Sequence, residues 1–262
     1  MKKRLRFGCQ NLINTLPILY AIPENDPSIE IVQDSPAALA KMLLASELDA
    51  AVIPSVEYLH NPEYVITSPI CIASRGPVMS VKLYSRKPFK KIETLALDAQ
   101  SMTSARLVRI ILAERFGIAP HSTVTGLVKD LSHTPTDAVL VIGDNALVID
   151  TRGFKVLDLG KEWFDLTGLP FVFALCCCRR GADLNGLPAR LEASLDAGLA
   201  GIDGIIEKAA KITGTDHKTL ARYYSRSIRY RLGQPEVLGL IRFFRMIVDH
   251  EMWHEGRDLE FL

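Results

Sequence analysis

Apolar and polar residues alternate between strand-like and helix-like spacing through the first two thirds of the chain. Leu5–Gly8 reads as a short strand, and Asn14-Thr15 with Pro17 just behind reads as a helix start running to Ile22. Ser28–Gln33 alternates like a strand. Ser35-Pro36 is a helix cap followed by proline at the first helical position, and Leu39, Met42 and Leu43 give that helix its apolar stripe. Asp49–Ile53, ended by Pro54, reads as a buried strand, and Tyr64–Ala73 and Val78–Tyr84 follow as longer β-like runs. A second unit opens near Pro88 with a strand at Thr94–Leu97 and a helix at Thr103–Phe116 closed by Gly117. It continues with strands at Ala138–Ile142 and Lys155–Leu159 and a short helix at Lys161–Leu166. Phe171–Cys178 has the continuous apolar character of a central strand. Beyond it the spacing is helical over Leu187–Thr213, Lys218–Tyr230 and Pro235–Trp253, the last with Leu238, Ile241, Phe244, Val248 and Met252 on one face.

Two βα halves joined by only two strand-like crossings predict a bilobed α/β molecule. Residues 1–83 and 175–262 would form one lobe, with the C-terminal helices packed back onto it, and residues 84–174 the other. Strand-helix alternation predicts parallel-rich sheets covered on both faces, with a ligand site in the cleft beyond the carboxyl ends of the strands. A length of 262 residues and 48% hydrophobic content suit two such lobes.

Charge narrows the function. With 31 Lys+Arg against 30 Asp+Glu the net is +1, which excludes strong counterion-driven nucleic-acid binding and the acidic disordered class. The basic clusters Lys2–Arg4 and Arg86, Lys87, Lys90, Lys91 read as solvated faces. Pro170–Cys178 is the longest wholly apolar stretch, about half a bilayer crossing. The basic N-terminus is followed by Gly8, Cys9, Gln10, Asn11 and Asn14, which interrupt any signal-peptide core, so a cytoplasmic protein is expected. Five cysteines, three of them consecutive at Cys176–Cys178, read as reduced and buried.

Two motif matches dissolve on inspection. His250-Glu251-Met252-Trp253-His254 fits the zinc-protease spacing, but a third ligand usually lies well downstream and only eight residues follow, and the segment reads as the polar tail of an amphipathic helix. Gly198, Gly201 and Gly204 lie in a helical pattern with no preceding strand, so close helix packing explains them better than a dinucleotide fingerprint. His60, His121, His133 and His217 are scattered in polar segments and read as surface residues.

Small polar residues cluster where strands pass into helices: Asn14-Thr15, Ser55, Ser101-Met102-Thr103-Ser104 and Gly143-Asp144-Asn145, with Ser80 on the crossing run after Arg75. Each has a capping role available to it. Together, unpaired N–H groups and positive helix ends point to a small anionic ligand, with Asn14-Thr15 and Thr103-Ser104 each placed to hold one carboxylate.

Several strings carry a resemblance. Leu12-Ile13-Asn14-Thr15-Leu16-Pro17, Leu48–Ser55, Gly76-Pro77-Val78-Met79-Ser80-Val81, Ala99–Ser104, Ile142–Leu147 and Thr167–Ala174 resemble the chorismate dehydratases of the futalosine route to menaquinone, with a weaker echo in Ile228-Arg229-Tyr230. The resemblance implies a two-lobed fold like that of type II periplasmic binding proteins and a cofactor-free, metal-free hydro-lyase. Its substrate would be chorismate, losing water to give 3-[(1-carboxyvinyl)oxy]benzoate. It implies Asn14 and Ser80 as catalytic groups, and Thr15, Ser55, Arg75, Thr103, Ser104, Gly143 and Asp144 around the substrate. Two departures stand out: Leu12 replaces the family's usual aromatic residue, and Leu175 with the three cysteines replaces a tryptophan. The related naphthoate synthases open with a Ser-Pro-Cys-Pro-Asn-Asp type motif that is absent here. A non-catalytic anion-binding protein of the same fold is the rival reading.

Overall fold

The computed structural model describes residues 4–23, 26–132 and 134–262. The chain builds two mixed sheets. Strands β1 (Leu5–Gln10), β2 (Ile29–Asp34), β3 (Ala50–Pro54), β4 (Tyr64–Ser74), β10 (Phe171–Arg179) and β11 (Arg229–Arg231) form the first, in the order β11-β4-β10-β3-β1-β2. Strands β5 (Val81–Ser85), β6 (Thr94–Asp98), β7 (His121–Thr125), β8 (Ala138–Ile142) and β9 (Lys155–Asp158) form the second, in the order β7-β6-β8-β5-β9. β1 pairs in parallel with β2 and β3, whereas β10 runs antiparallel to both β3 and β4. In the second sheet β6 is parallel to β7 and β8, and β5 antiparallel to β8 and β9. The sheets are therefore mixed rather than parallel-rich, because the chain crosses between them on β5 and β10, which enter against their neighbours.

The helices are α1 (Leu16–Leu19), α2 (Pro36–Leu44), α3 (Ser55–His60), α4 (Met102–Phe116), α5 (Asn145–Val148), α6 (Leu159–Thr167), α7 (Leu187–Ala200), α8 (Ile202–Thr213), α9 (His217–Arg222) and α10 (Gln234–Asp249). The expected cap at Ser35 forms: its Oγ accepts from Ala38 N, and Leu39 and Leu43 turn inward. Gly117 takes a left-handed conformation (φ +66°) and ends α4 as expected. All five cysteines are free and buried.

Several expectations need correction. The predicted helix over 187–213 breaks at Gly201. The one over 218–230 gives way to α9, a wide helical turn at Tyr223–Ser227, and the edge strand β11. On α10 the buried side is Leu240, Phe243, Phe244, Met246 and Ile247, whereas Leu238 and Ile241 are exposed. The face shifts because Gly239 lets the helix sit against the backbone of Pro170, where a Cβ would lie 2.0 Å from the carbonyl oxygen. A Cβ on Gly198 would likewise lie 2.5 Å from Pro17 O and one on Gly201 2.6 Å from the Tyr20 hydroxyl, so close packing accounts for these two glycines, whereas Gly204 faces open space. His250–His254 follow the end of α10 rather than forming its tail, and His250 pairs with Glu114. His60 is half-buried, with its ring 4.0 Å from that of Trp253, not a surface residue. His121 and His217 are exposed, while His133 and the Lys2-Lys3 part of the basic cluster lie outside the described residues. The short elements α3, α5 and β7 were not foreseen.

The crossing at residues 75–80 is pinned by Asp158, which accepts from Val78 N (2.9 Å) and Met79 N (2.7 Å) while capping α6 through Lys161 N. Among the described residues no helix is long and apolar enough to cross a membrane.

Candidate active site

A cleft of about 550 Å³, open to solvent on one side, lies between the two sheets. Loops at the carboxyl ends of the parallel strands line it. After β1 it meets Leu12 and Asn14, at the end of β3 Pro54, after β6 the stretch Gln100–Ser104, and after β8 Gly143. Val78 and Ser80 reach it from the crossing, Phe173 and Ala174 from β10, and Ile228 from the segment before β11. It opens toward a wider mouth edged by Gln33, Asp34, Ser35, Leu127, Asp144 and Asn145. Among the described residues the cavity lining contains no lysine, arginine or histidine.

Asn14 sits in a 3-10 turn that the rigid Leu16-Pro17 start of α1 holds in place. It is almost wholly buried, and its Oδ1 has no hydrogen-bond partner. An amide oxygen left in this state costs free energy unless something else occupies its lone pairs. Ser80 is buried beside the same cavity and accepts a hydrogen bond from the Tyr223 hydroxyl at 3.0 Å.

Across the cleft, α4 begins with Ser101 as its capping residue, yet the Ser101 hydroxyl caps nothing and is buried without a partner. The amides of a fifteen-residue helix therefore start at the cavity wall with their positive end free. Thr103 lines the wall and also accepts from Val56 N (3.3 Å), with its Oγ1 3.4 Å from Ser55 Oγ. Ser55 in turn donates to Val172 O at 2.8 Å and stands behind the lining. Ser104 and Gly143 line the cavity directly.

Asp144 belongs to the mouth, not the cavity floor. Its carboxylate accepts from Ile13 N at 3.2 and 3.3 Å, linking the loop after β8 to the loop after β1. Burial lifts its carboxyl to about 6, with the Ile13 N–H opposing the shift. Thr15 is turned inward, its hydroxyl shared between Gln10 O and Leu12 O at 2.8 Å each. Arg75 is exposed, its guanidinium 5.7 Å from the Phe164 ring, and lies outside the lining. The structure thus gathers Asn14, Ser80, Thr103, Ser104 and Gly143 in one cavity, sets Ser55 and Asp144 just behind or beside it, and leaves Thr15 and Arg75 away from it.

Three buried tyrosines beneath the floor escaped sequence reasoning. Tyr224 donates to Ile13 O and Tyr230 to Asn14 O, each at 2.8 Å, while Tyr223 reaches Ser80. Their signal in the sequence is three tyrosines within eight residues of an arginine-rich segment read as helix, with Tyr230 also in the weak family echo Ile228-Arg229-Tyr230. Gln10, Gln100 and Ser101 also reach the cavity; of the three only Ser101 stood in a polar helix-start cluster, and none was assigned to the substrate.

A family model described as menaquinone biosynthesis matches residues 5–249, nearly the whole chain. The chain belongs to this family. Among its relatives, the chorismate dehydratase of Thermus thermophilus is 30% identical over 227 residues, covering 79% of this chain and 83% of that protein. The chorismate dehydratase of Campylobacter jejuni is 28% identical over 66% of each chain. In three dimensions a protein of Archaeoglobus fulgidus superposes with a TM-score of 0.77 at 17% identity, covering 95% of this chain and 98% of that one. The periplasmic aliphatic sulphonate binding protein of Escherichia coli follows at 0.65 and 14%, covering 100% and 97%. At such identities the likeness establishes the fold alone: this member of the menaquinone-biosynthesis family has the two-lobed architecture of periplasmic binding proteins.

Proposed function

We propose that this chain is a chorismate dehydratase, a carbon–oxygen lyase that removes water from chorismate to give 3-[(1-carboxyvinyl)oxy]benzoate. The observation that carries the reading is the convergence of two buried polar side chains, the Asn14 amide with its unpartnered oxygen and the Ser80 hydroxyl, in one uncharged cavity facing the free start of α4. Relatives bearing that activity, together with the family's place in menaquinone biosynthesis, support it.

The chemistry suits such a site. Loss of the ring C3 hydrogen and the C4 hydroxyl creates an aromatic ring, so much of the driving force resides in the substrate. The protein orients the ring and stabilises charge as it develops. The α4 start, with Ser101, Thr103 and Ser104, receives one carboxylate. The enolpyruvyl carboxylate takes the C3 proton. In a cavity without cations that carboxylate is left uncompensated, and desolvation makes it a stronger base. Ser80 and the Asn14 amide bond the departing hydroxyl, which leaves as water with the abstracted proton. Asp144, the rival base, is engaged with Ile13 N at the mouth and serves as a strut between the lobes.

Incubating purified protein with chorismate and following the product by mass spectrometry tests the proposal. Loss of one water is expected. Unchanged chorismate in the presence of folded, chorismate-binding protein would favour the rival anion binder and overturn the lyase reading.

A further inference from the structure

Tyr223 is wholly buried, and its hydroxyl lies 3.0 Å from Ser80 Oγ. A phenol is a much stronger acid than an aliphatic alcohol, so in a phenol–alcohol pair the phenol donates and the alcohol accepts. Burial pushes the Tyr223 phenol up, and the Ser80 and Asn14 side chains oppose that shift. The phenol therefore stays protonated at any physiological pH. With one lone pair of Ser80 taken by Tyr223, the serine's own hydrogen must point elsewhere. Among the described residues it has no acceptor, and the open direction is the cavity that Ser80 lines.

Resting on the dehydratase reading, we infer that Tyr223 is a positioning residue that sets the polarity of the site by holding the Ser80 proton toward the bound substrate. Tyr223 touches no cavity space itself. Its neighbours reinforce the arrangement: Tyr224 stacks edge-on at 5.4 Å and holds Ile13 O, and Tyr230 holds Asn14 O. One eight-residue segment thus fixes the backbone of Asn14 and the hydroxyl of Ser80 together. Ser80 becomes an oriented donor to the leaving hydroxyl instead of a rotor that must be ordered in each turnover.

The test is Tyr223→Phe in the full chain, which keeps the packed ring and removes only the hydroxyl. Turnover should fall about 10- to 100-fold with KM changed less than about threefold, because orientation is lost while the cavity is retained. Ser80→Ala combined with Tyr223→Phe should be no slower than Ser80→Ala alone, since Tyr223 acts through Ser80. Tyr58→Phe removes a phenol that donates to Asp258 O and accepts from Glu260 N, outside the cavity lining, and should leave both constants unchanged. Wild-type turnover in Tyr223→Phe, or losses that multiply in the double variant, would overturn the inference. Neutron diffraction from wild-type crystals reads the same point without turnover. A deuterium on the Tyr223 oxygen directed at Ser80 supports the inference, and one on Ser80 directed at Tyr223 defeats it, even if the variant fails to fold. A wild type that leaves chorismate unchanged defeats the dehydratase reading instead, and the neutron result then decides the proton polarity on its own.

Discussion

Replacing Asp144 by Asn is expected to stabilise the protein above neutral pH and to leave its stability unchanged near pH 4. Burial raises the Asp144 carboxyl from 3.8 to about 6. Below the ordinary carboxyl range the folded and unfolded chains both hold the proton, and the group contributes nothing. As pH rises from about 4 to 6 the unfolded chain ionises first, so the folded state loses stability. Above about 6 the folded form ionises too and the loss levels off. A shift of about two units at 1.36 kcal/mol each makes that loss roughly 3 kcal/mol. Asn keeps a carbonyl for the Ile13 N–H and cannot ionise, so it avoids the loss. For a chain of this size about 2–3 kcal/mol corresponds to roughly 4–10 °C in Tm. Thermal melts of both proteins from pH 4.5 to 8.5, compared as a difference, cancel groups such as Asp26 and Asp137, which hydrogen bonding holds near 2. A difference that stays flat across the range, or a less stable Asn variant at pH 8, would refute the reasoning. Turnover should survive within a few fold, because this carboxylate addresses Ile13 rather than the cavity floor.

Three further outcomes follow from the geometry. Asn14→Ala should reduce turnover by about 100-fold or more in a folded protein, the usual scale for a preorganised polar group, and full turnover would reduce Asn14 to a structural residue. Gly239→Ala places a Cβ 2.0 Å from Pro170 O, so α10 must shift, and urea unfolding should register a loss of about 1–3 kcal/mol or insoluble expression. Arg257 donates to the carbonyls of Tyr58, Asn61, Pro62 and Tyr64 and lies 3.9 Å over the Tyr58 ring, so Arg257→Met should cost about 2–4 kcal/mol in the same assay while leaving KM for chorismate unchanged.

Local rules worked where one element decides its own shape. The Ser35-Pro36 cap, the Gly117 stop and the apolar strands β3, β8 and β10 were legible because cap chemistry, positive φ and continuous burial leave plain marks. The segment 218–230 misled because helical spacing of Leu220, Tyr223 and Tyr224 also suits residues buried for another purpose, here the tyrosines that grip the loop after β1. On α10 a helical stripe was visible, but the close approach at Gly239, a long-range fact, selects which stripe faces inward. The candidate site was half legible. Asn14, Thr103, Ser104 and Gly143 sit at strand-to-helix junctions that sequence can flag, and Ser80 on the crossing into β5, whereas Thr15 turned inward because its hydroxyl satisfies two local carbonyls. Nothing local marks Arg75 as facing away, and the half-buried Phe164 ring is what receives it.

The position of β10 bears on how the polypeptide acquires its shape during synthesis. The strand that joins β3 to β4 leaves the ribosome only after some ninety residues of the other sheet have emerged. Until then β3 and β4 each present an unzipped apolar edge, the kind of surface that invites mispairing between nascent chains. The inserted sheet, whose five strands are contiguous in the chain, can mature first and deliver β10 into the gap. The late arrival of that one strand makes the joining of β3 to β4 a long-range event, the slow kind of step in folding kinetics.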